Sequence, residues 1–402
     1  MDALVSVDHA LRAVLAMARV TPGEAVRLGD AVGRTLAEPV ASREPHPPFD
    51  ASAMDGVALR VAYLPDSLTL PLVGAVHAGD APGDLSPGVA VAIMTGAPVP
   101  SGADAVVPVE RITRDGDTIR LDARPEAGQH IRTTGDALAA GVEVLAAGTI
   151  VTPGAVAVLA AVGADPVWVH SRPRVAVIAT GDELVDAASP LSPGQIRDSN
   201  GPTLAAMAEA AGAAVIGPLR ARDTAADLAR VLAETRDADV IVFAGGVSMG
   251  ERDGVRDAVE AAGGSWTLWG VRQRPGKPLA VGVLDGRPVI GLPGNPVSAA
   301  VCFEVYVRPL LTAMLGRPAD GVTEPAVLDA PMAKKAGLHT FARVSVRRDA
   351  DGRLHVLPAG AQGSHVAHSL ALADGLAHLP ADWDAAPAGA TVAFQHWGGP
   401  FG

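Results

Sequence analysis

The chain of 402 residues is longer than one ordinary hydrophobic core accommodates, so its length predicts two to four domains. Its formal net charge of −12 argues against nucleic acid binding as the main task, but a small anionic ligand needs only a local positive pocket. With one cysteine, Cys302, the chain can form neither an internal disulfide nor a cysteine-based zinc site, which fits a reducing cytoplasm.

The first residues have the pattern of an amphipathic helix. Apolar side chains recur at helical spacing at Leu4, Val7, Leu11 and Val14, so this segment is expected to pack on a folded core. Charged residues interrupt the segment and no long apolar stretch follows it, which argues against a signal peptide. The apolar stretch at 151–169 is broken by proline and aspartate well short of a membrane span, so a soluble protein is predicted.

Two parts of the chain have a residue pattern that is typical of short β-strands. They run from about Pro47 to Arg132 and from about Val322 to the end. In the first part, short alternating apolar runs lie between turns that are rich in glycine and proline. In the second part, ARVSVRRDADGRLHVLP predicts a hairpin around Asp351–Gly352. Each part is therefore expected to form a small β domain.

Between these parts, from about Pro173 to Leu315, strands alternate with helices. The predicted elements, in chain order, are the strand RVAVIAT, the helix NGPTLAAMAEAAG, the strand AAVIGPL, the helix TAADLARVLAET, the strand DVIVFA, the helix GVRDAVEAAGG, a hairpin around Asp285–Gly286 and the helix NPVSAAVCFEVYVRPLLTAML. Asn200 is predicted to cap the first helix, and Cys302 is expected to be a small core residue of the last one. This alternation predicts a doubly wound, mostly parallel sheet that is covered on both faces.

Four loops at predicted strand ends have unusual chemistry. These loops are GDEL at 181–184, GGVSMGERD at 245–253, PGNPVS at 293–298 and, before the predicted hairpin, RPGKP at 274–278. Doubly wound sheets bind ligands outside the carboxyl ends of their strands, so we expect the four loops to gather at one edge of the sheet. Pro293 and Pro296 are expected to fix an unusual corner between strand and helix.

The glycines Gly245 and Gly246 end a buried strand abruptly. Glycine lets the backbone turn tightly and expose its N–H groups, which bind anions together with a helix N-terminus, and Ser248 can add a hydroxyl. The pattern therefore predicts a cradle for a phosphate group. The alternative is a simple tight turn, followed by acids that favour the start of a helix.

Carboxylates also follow these strands, at Asp182, Glu183 and Asp253. Beside a phosphate cradle they would repel the ligand unless a hard cation lies between them, and Mg²⁺ binds carboxylate and phosphate oxygens together. The sequence therefore predicts a magnesium site. The fourth loop carries Arg274 and Lys277, which suit a tetrahedral oxyanion; the alternative is ordinary surface charge.

A second group of polar residues lies in the first β part. The segment PPFDASAMDGVAL places Asp55 in a stretch with few bulky residues, and IMTGAP adds Thr95, which suggests a loop presented to a site. Asp-Gly alone is a turn signal. In the last segment Arg343 and QGSHV stand out, and His365 is interpreted as a structural histidine rather than a ligand.

Taken together, these motifs resemble the molybdopterin molybdenumtransferase family, which includes MoeA and the gephyrin E domain. The matching stretches, in chain order, are FDASAMDG, IMTGAPVPSGADAVVPVE, ATGDEL, GQIRDSN, GGVSMGERD, RPGKP and GLPGNPVSA, followed by QGSH. They run from about residue 46 to about residue 310, with the last in the C-terminal segment. Each is weak alone, but in this order they are specific.

The resemblance implies a multidomain α/β plus β fold. A central, doubly wound, mostly parallel MogA-like α/β domain is flanked by small β domains in an elongated homodimer. The active cleft is expected between the α/β domain of one subunit and β domains of the other. The implied domains are an N-terminal helix and linker domain at 1–46 with 129–170, a β domain at 47–128, the MogA-like molybdopterin-binding domain at 171–320 and a C-terminal β domain at 321–402.

The resemblance also implies the reaction. Members of the family take adenylylated molybdopterin, molybdate and a divalent cation, here expected to be Mg²⁺, insert molybdenum into the pterin and release AMP. The protein is then expected in the cytoplasm. Besides these small-molecule substrates, the implied partners are the upstream molybdopterin adenylyltransferase and apo-molybdoenzymes, with neither nucleic acid nor membrane.

Matching the family position by position implies a role for each candidate residue. The implied catalytic residues are Asp55, Thr95, Glu183, Asp223 and Asp253. Together with the loops above, the implied binding residues are Gly245, Gly246, Ser248, Arg274, Lys277, Pro293, Asn295, Pro296, Ser298, Arg343 and Ser364. The metal ligands are expected to be Asp182, Glu183 and Asp253.

The chain departs from the family pattern at a few positions. Arg274 stands where the family often has lysine, which keeps the charge and changes its shape, and Asp136 is shifted from the family's acid, so it receives no role. Two other functions stay open: adenylyl transfer, which the α/β core also suits, and a non-catalytic pterin-binding scaffold. The β domains on both sides favour molybdenum insertion, and the acids Asp55, Glu183 and Asp253 disfavour a passive scaffold.

Overall fold

The computed structural model describes residues 4–81, 83–247, 254–319 and 323–397. The chain folds into two compact units. The large unit contains Met1–Ala25, Gly33–Ala37 and Trp168–Gly402, and the small unit contains Val26–Val32 and Glu38–Val167. The division into four domains stays a prediction.

The elements up to residue 161 are mostly short strands. In chain order they are α1 (Val7–Leu15), β1 (Gly23–Val26), β2 (Val40–Ala41), β3 (Ala51–Ser52), β4 (Gly56–Leu59), β5 (Thr69–Val76), β6 (Ala90–Ile93), β7 (Ala105–Pro108), β8 (Ile112–Asp115), β9 (Thr118–Leu121), β10 (Ile131–Arg132), β11 (Glu143–Leu145) and α2 (Pro153–Ala161). The small unit is built on a six-stranded sheet in the order β7-β4-β6-β5-β9-β8. Alternate residues of β4 pack into different apolar clusters on its two faces, as strand geometry requires.

The predicted N-terminal amphipathic helix is confirmed as α1. The Ser6 side chain accepts a hydrogen bond of 3.2 Å from the His9 backbone N–H and so caps the first turn. Ala10 and Val14 are buried in the main apolar cluster of the large unit.

The middle of the chain alternates strands and helices, as predicted. In chain order the elements are β12 (Val167–His170), β13 (Arg174–Thr180), β14 (Leu184–Val185), β15 (Ile196–Arg197), α3 (Asn200–Ala210), β16 (Ala214–Ala221), α4 (Ala225–Glu234), β17 (Val240–Ala244), α5 (Gly254–Ala261), β18 (Ser265–Trp269), β19 (Gln273–Arg274), β20 (Ala280–Leu284), β21 (Arg287–Leu292), α6 (Pro296–Cys302) and α7 (Arg308–Met314).

These strands form a six-stranded sheet in the order β16-β13-β17-β21-β20-β18. The first four are parallel, and β20 and β18 are added antiparallel through the predicted hairpin. Successive residues of β13 enter apolar clusters on opposite faces, one with α3 and α6, the other with α4 and α5. The predicted doubly wound α/β core is therefore confirmed.

Two details of the helices differ from the prediction. Helix α3 begins at Asn200 itself, so Asn200 is not its cap; Ser199 takes that place, and the Asn200 side chain donates instead to the Gly294 carbonyl, 2.7 Å away. The long helix between Pro296 and Met314 contains a π-helical turn at Phe303–Val307. That helix is long and apolar enough to cross a membrane, but 83% of its apolar window is buried inside the fold, as in the core helix of a globular domain.

The last part of the chain forms a small closed barrel. Its elements are β22 (Thr323–Leu328), β23 (His339–Arg348), β24 (Leu354–Pro358), α8 (His368–Leu372), β25 (Gly375–Leu379) and β26 (Thr391–His396). Strands β23, β24, β22, β26 and β25 pair in that order, and β25 pairs back with β23. The predicted hairpin around Asp351–Gly352 joins β23 to β24. Strand β19 of the middle segment pairs with β23, which links the barrel to the α/β core.

Candidate active site

Three of the four predicted loops meet in one cleft of about 500 Å³, whereas the fourth contributes only Pro278, and neither Arg274 nor Lys277 lines this cleft. It lies at the carboxyl ends of β13, β17 and β21, which are neighbours in the sheet. The loop segments that line it are Thr180–Gly181 with Glu183–Leu184, Gly245–Val247 and Pro293–Pro296. Parallel strands that end side by side bring loops together although they are distant in sequence.

Gly245 and Gly246 form a turn that a side chain would not fit. Their φ angles are +95° and +67°. A Cβ at Gly245 would lie 2.8 Å from the Thr180 carbonyl oxygen, and one at Gly246 would lie 2.5 Å from Val255 Cγ2. The backbone after β17 therefore lies directly against the end of β13. The Thr180 hydroxyl in this contact is buried and has no hydrogen-bond partner among the described residues.

Three carboxylates lie around the loop that follows β13. The Asp223 backbone N–H donates to Asp182 Oδ1 over 3.3 Å, and burial, together with the charges of Asp182 and Glu183, raises the pKa of Asp223 above its ordinary value. Glu183 and Asp223 line the cleft, whereas Asp182 lines a neighbouring hollow with Arg222. In the described part of the chain, no three His, Cys, Asp or Glu side chains are grouped as a ready-made metal site.

Two helix starts also line the cleft. Asn200 opens α3 and Pro296 opens α6, and the hydrogen bond from Asn200 to Gly294 ties these two ends together. Two of their N–H groups are already paired, because Gly201 donates to Asp198 Oδ1 over 2.9 Å and Val297 donates to the Ser364 carbonyl over 3.1 Å. The helix starts therefore favour an anion mainly through the partial positive charge of the helix dipole.

The predicted basic residues differ in their surroundings. Arg274 and Lys277 are exposed on the turn that follows β19. Arg343 is only 1% exposed and donates from Nε to Ser369 Oγ (2.8 Å) and from Nη2 to the carbonyls of Ala361 (3.0 Å) and Gly363 (3.3 Å). Burial lowers its pKa to about 10. Arg274 and Arg343 border a separate cavity of about 120 Å³.

Arg343 thereby holds a loop that reaches the cleft. In this loop the Ser364 carbonyl accepts from the Val297 backbone N–H at the start of α6, over 3.1 Å, and His365 lines the cleft. Ser298, in the first turn of α6, is 4% exposed and is not among the lining residues.

Asp55 and Thr95 lie together in the small unit. The Thr95 backbone N–H donates to Asp55 Oδ1 over 2.7 Å, and this hydrogen bond lowers the pKa of Asp55. Both residues sit at the ends of strands of the six-stranded sheet of that unit. Asp55 and the Thr95 segment therefore contact each other directly. Their predicted catalytic roles stay predictions.

The comparisons with known proteins decide the family. The family model for the MoeA N-terminal region (domain I and II) matches residues 5–163, that for a probable molybdopterin binding domain matches residues 176–313, and that for the MoeA C-terminal region (domain IV) matches residues 325–397. The molybdopterin molybdenumtransferase 2 of Mycobacterium tuberculosis is 40% identical over 390 residues, which cover 94% of this chain and 96% of the relative. This chain belongs to the MoeA family of molybdopterin molybdenumtransferases.

Further comparisons agree across the whole fold. The molybdopterin molybdenumtransferase of Haemophilus influenzae is 36% identical over 352 residues, which cover 86% of this chain and 87% of that protein. The crystal structure of a molybdopterin biosynthesis MoeA protein from Pyrococcus horikoshii superposes with a TM-score of 0.86 at 31% identity, over 98% of this chain and 99% of that one. The predicted family, the transferase class and the role in molybdenum cofactor biosynthesis are therefore confirmed.

Within this MoeA fold, the cleft gathers seven of the predicted site residues: Glu183, Asp223, Gly245, Gly246, Pro293, Asn295 and Pro296. Ser248 and Asp253 lie outside the described residues. Residues that were not predicted also line the cleft, namely Thr180, Arg197, Asp198, Ser199, Asn200 and His365. The stretches ATGDEL, GQIRDSN and QGSH, which match the family, contain all six residues, but none of the six was predicted to have a role in the site.

Proposed function

We propose that this MoeA-family protein transfers molybdenum from molybdate to adenylylated molybdopterin, with magnesium-dependent release of AMP. The observation that carries the proposal is the single cleft of about 500 Å³ in which the three strand-end loops meet beside Glu183 and Asp223. A cleft of this volume suits a small-molecule ligand.

In this proposal the anionic part of the substrate binds between the Gly245–Gly246 turn and the starts of α3 and α6. The glycines let the ligand approach the backbone, and the helix starts supply the positive ends of their dipoles. The buried Thr180 hydroxyl, which lacks a partner among the described residues, can add a hydrogen bond.

The acids fit a hard divalent cation. Glu183 and Asp223 offer carboxylate oxygens on the cleft, and burial, followed by the charges of Asp182 and Glu183, raises the pKa of Asp223, so a cation nearby would favour its ionised form. Mg²⁺ is usually held by one or two carboxylates together with substrate phosphates and water, so a cage of three protein ligands is not required. When bound, it would supply Lewis-acid stabilisation of the phosphoryl oxygens. Asp253, outside the described residues, stays a predicted ligand.

Molybdate is proposed to bind at the turn that carries Arg274 and Lys277, because both side chains are exposed and cationic. The buried Arg343 and Ser298 are proposed to act on this site indirectly, by holding the Ala361–Ser369 loop and the start of α6. We further propose a cytoplasmic homodimer that receives its substrate from an adenylyltransferase and delivers its product to apo-molybdoenzymes.

The test is AMP release from adenylylated molybdopterin, measured with and without molybdate and magnesium. The proposal expects release that needs both, and a Glu183→Gln variant that folds normally and releases little AMP. Glu209→Gln, an exposed glutamate of α3, is the matched control and should behave as wild type. Consumption of ATP with transfer of AMP to molybdopterin would identify an adenylyltransferase instead, and pterin binding without turnover would identify a scaffold.

A further inference from the structure

A buried polar network lies directly beneath the turn that carries Arg274 and Lys277. Gln273 is 1% exposed, and its Nε2 donates to the carbonyls of Pro275 (3.2 Å) and Gly276 (3.1 Å). Its Oε1 accepts from the hydroxyl of Tyr306, which is fully buried in the π-helical turn of the core helix. The side chain of Gln273 therefore connects the core helix to the backbone of the basic turn.

The chemistry of the partners fixes the orientation of the Gln273 amide. Carbonyl oxygens only accept hydrogen bonds, so the NH₂ group must face Pro275 and Gly276, and Oε1 then faces Tyr306. Burial raises the pKa of Tyr306, which keeps its hydroxyl protonated as a donor. The Gln273 amide and the Tyr306 hydroxyl therefore have fixed donor and acceptor positions. An alternative rotamer of Gln273 would leave buried polar atoms unpaired.

The turn also approaches the core helix too closely for any residue but glycine. Gly276 has a φ angle of +88°, and a Cβ there would lie 2.2 Å from Cys302 Sγ and 2.8 Å from Gln273 Nε2. Cys302 lies four residues before Tyr306, on the same face of the helix. The Val271 backbone N–H closes the base of the turn by donating to the Lys277 carbonyl over 2.8 Å.

We propose that Gln273 and Tyr306 are positioning residues, which hold the Arg274–Lys277 turn in the shape that binds the oxyanion. Neither side chain reaches solvent, so neither touches the substrate; they act through the carbonyls of Pro275 and Gly276. The inference rests on the proposed function, which makes this turn the molybdate site. The new point is that two buried side chains, rather than groups on the surface, hold the backbone of the turn in its shape.

The experiment compares Gln273→Met, Tyr306→Phe and the double variant. Each substitution keeps the side-chain volume and removes hydrogen bonds. Because the double variant removes both partners of the Gln273–Tyr306 bond, it should lose less stability than the sum of the two single variants, although the Pro275 and Gly276 carbonyls still lose their donor. The control is Thr235→Val, which deletes a buried hydroxyl bond to the Leu232 carbonyl on α4, across the sheet.

Two measurements are made on every variant. The first is the KM for molybdate and the kcat in the AMP-release assay. The second is the rate at which a thiol reagent labels Cys302, which is the only cysteine of the chain and lies buried beneath Gly276. Gln273 Nε2 also donates to Cys302 Sγ over 3.3 Å, so the decisive labelling rate is that of Tyr306→Phe, which keeps this contact and reports release of the turn whether or not the protein turns over.

The proposal expects all three network variants to raise the molybdate KM about tenfold, the equivalent of one hydrogen bond, with little change in kcat and with faster labelling. Thr235→Val should change neither quantity. A double variant that regains wild-type KM and labelling together with its stability would overturn the proposal, as would an unchanged KM in every variant. If the wild type releases no AMP, the proposed function fails, and the labelling rates still decide whether Gln273 and Tyr306 hold the turn.

Discussion

Replacement of Gly245 by alanine tests how the cleft is built. An L-residue in the left-handed region of φ costs about 1–2 kcal/mol, and Gly245 has a φ angle of +95°. The new Cβ would also lie 2.8 Å from the Thr180 carbonyl oxygen, which belongs to the central strand β13 and cannot move aside. Overpacking of this kind adds about 1–3 kcal/mol. We therefore expect Gly245→Ala to destabilise the α/β sheet by about 2–5 kcal/mol.

Gly263 provides a matched control. Its φ angle of +90° is almost the same, and a Cβ there would meet nothing within 4 Å. Gly263→Ala should therefore cost only the conformational term of about 1–2 kcal/mol. The entropy that alanine removes from the unfolded chain is similar in the two variants, so it cancels in the comparison.

Hydrogen exchange is the appropriate measurement, because a multidomain chain does not unfold in a single two-state step. Exchange in peptides that cover β17 (Val240–Ala244) gives the local opening free energy of the strand that ends at Gly245. The expected result is a larger loss of protection, and a larger loss of AMP release, in Gly245→Ala than in Gly263→Ala. Equal effects of the two substitutions would refute the close contact between this turn and Thr180.

Three further outcomes are expected. Because the pKa of Asp223 is raised, magnesium competes with a proton for its carboxylate, so the affinity of the protein for magnesium, measured by calorimetry, should fall as the pH falls through that pKa. In Asp223→Asn the affinity should depend less on pH. Arg343→Lys cannot keep the forked bonds to the Ala361–Ser369 loop, so it should lose about 1–3 kcal/mol of local protection there by hydrogen exchange. The carboxylates of Asp329 and Asp349 raise the pKa of His355 above 6.5, so the thermal-stability advantage of wild type over His355→Gln should be full below pH 6.5 and vanish as the pH rises through that pKa.

The α/β core could be predicted because its strands are buried on both faces. Continuous apolar runs such as RVAVIAT and DVIVFA are what a sheet covered by helices requires, and they became β13 and β17. The loops after them also met as predicted, because the rule for strand ends depends on topology alone. The antiparallel edge strand β18 has no such continuous apolar run, since Ser265 and Thr267 are polar and exposed.

The complete lining of the cleft could not be predicted, because it depends on tertiary contacts. Asn200 resembled a helix cap, and only the fold shows that its amide reaches Gly294 instead. His365 comes to the cleft because Arg343 holds its loop from the barrel side, a contact between distant segments. Arg343 is buried whereas Arg274 and Lys277 are exposed, and this difference cannot be read from composition.

The charges around the cleft explain how acids and an anion cradle can occupy one place. Glu183 and Asp223 line the same cleft as the Gly245–Gly246 turn, and burial, with a further contribution from the charges of Asp182 and Glu183, raises the pKa of Asp223. A phosphate group would add negative charge beside these acids, and the net charge of −12 has the same sign. A divalent cation would reverse the balance, because it attracts both the carboxylates and the phosphate. Under the proposed function, the acids that oppose a bare anion would make its binding conditional on the metal, while the turn that carries Arg274 and Lys277 would keep its charge free for the oxyanion.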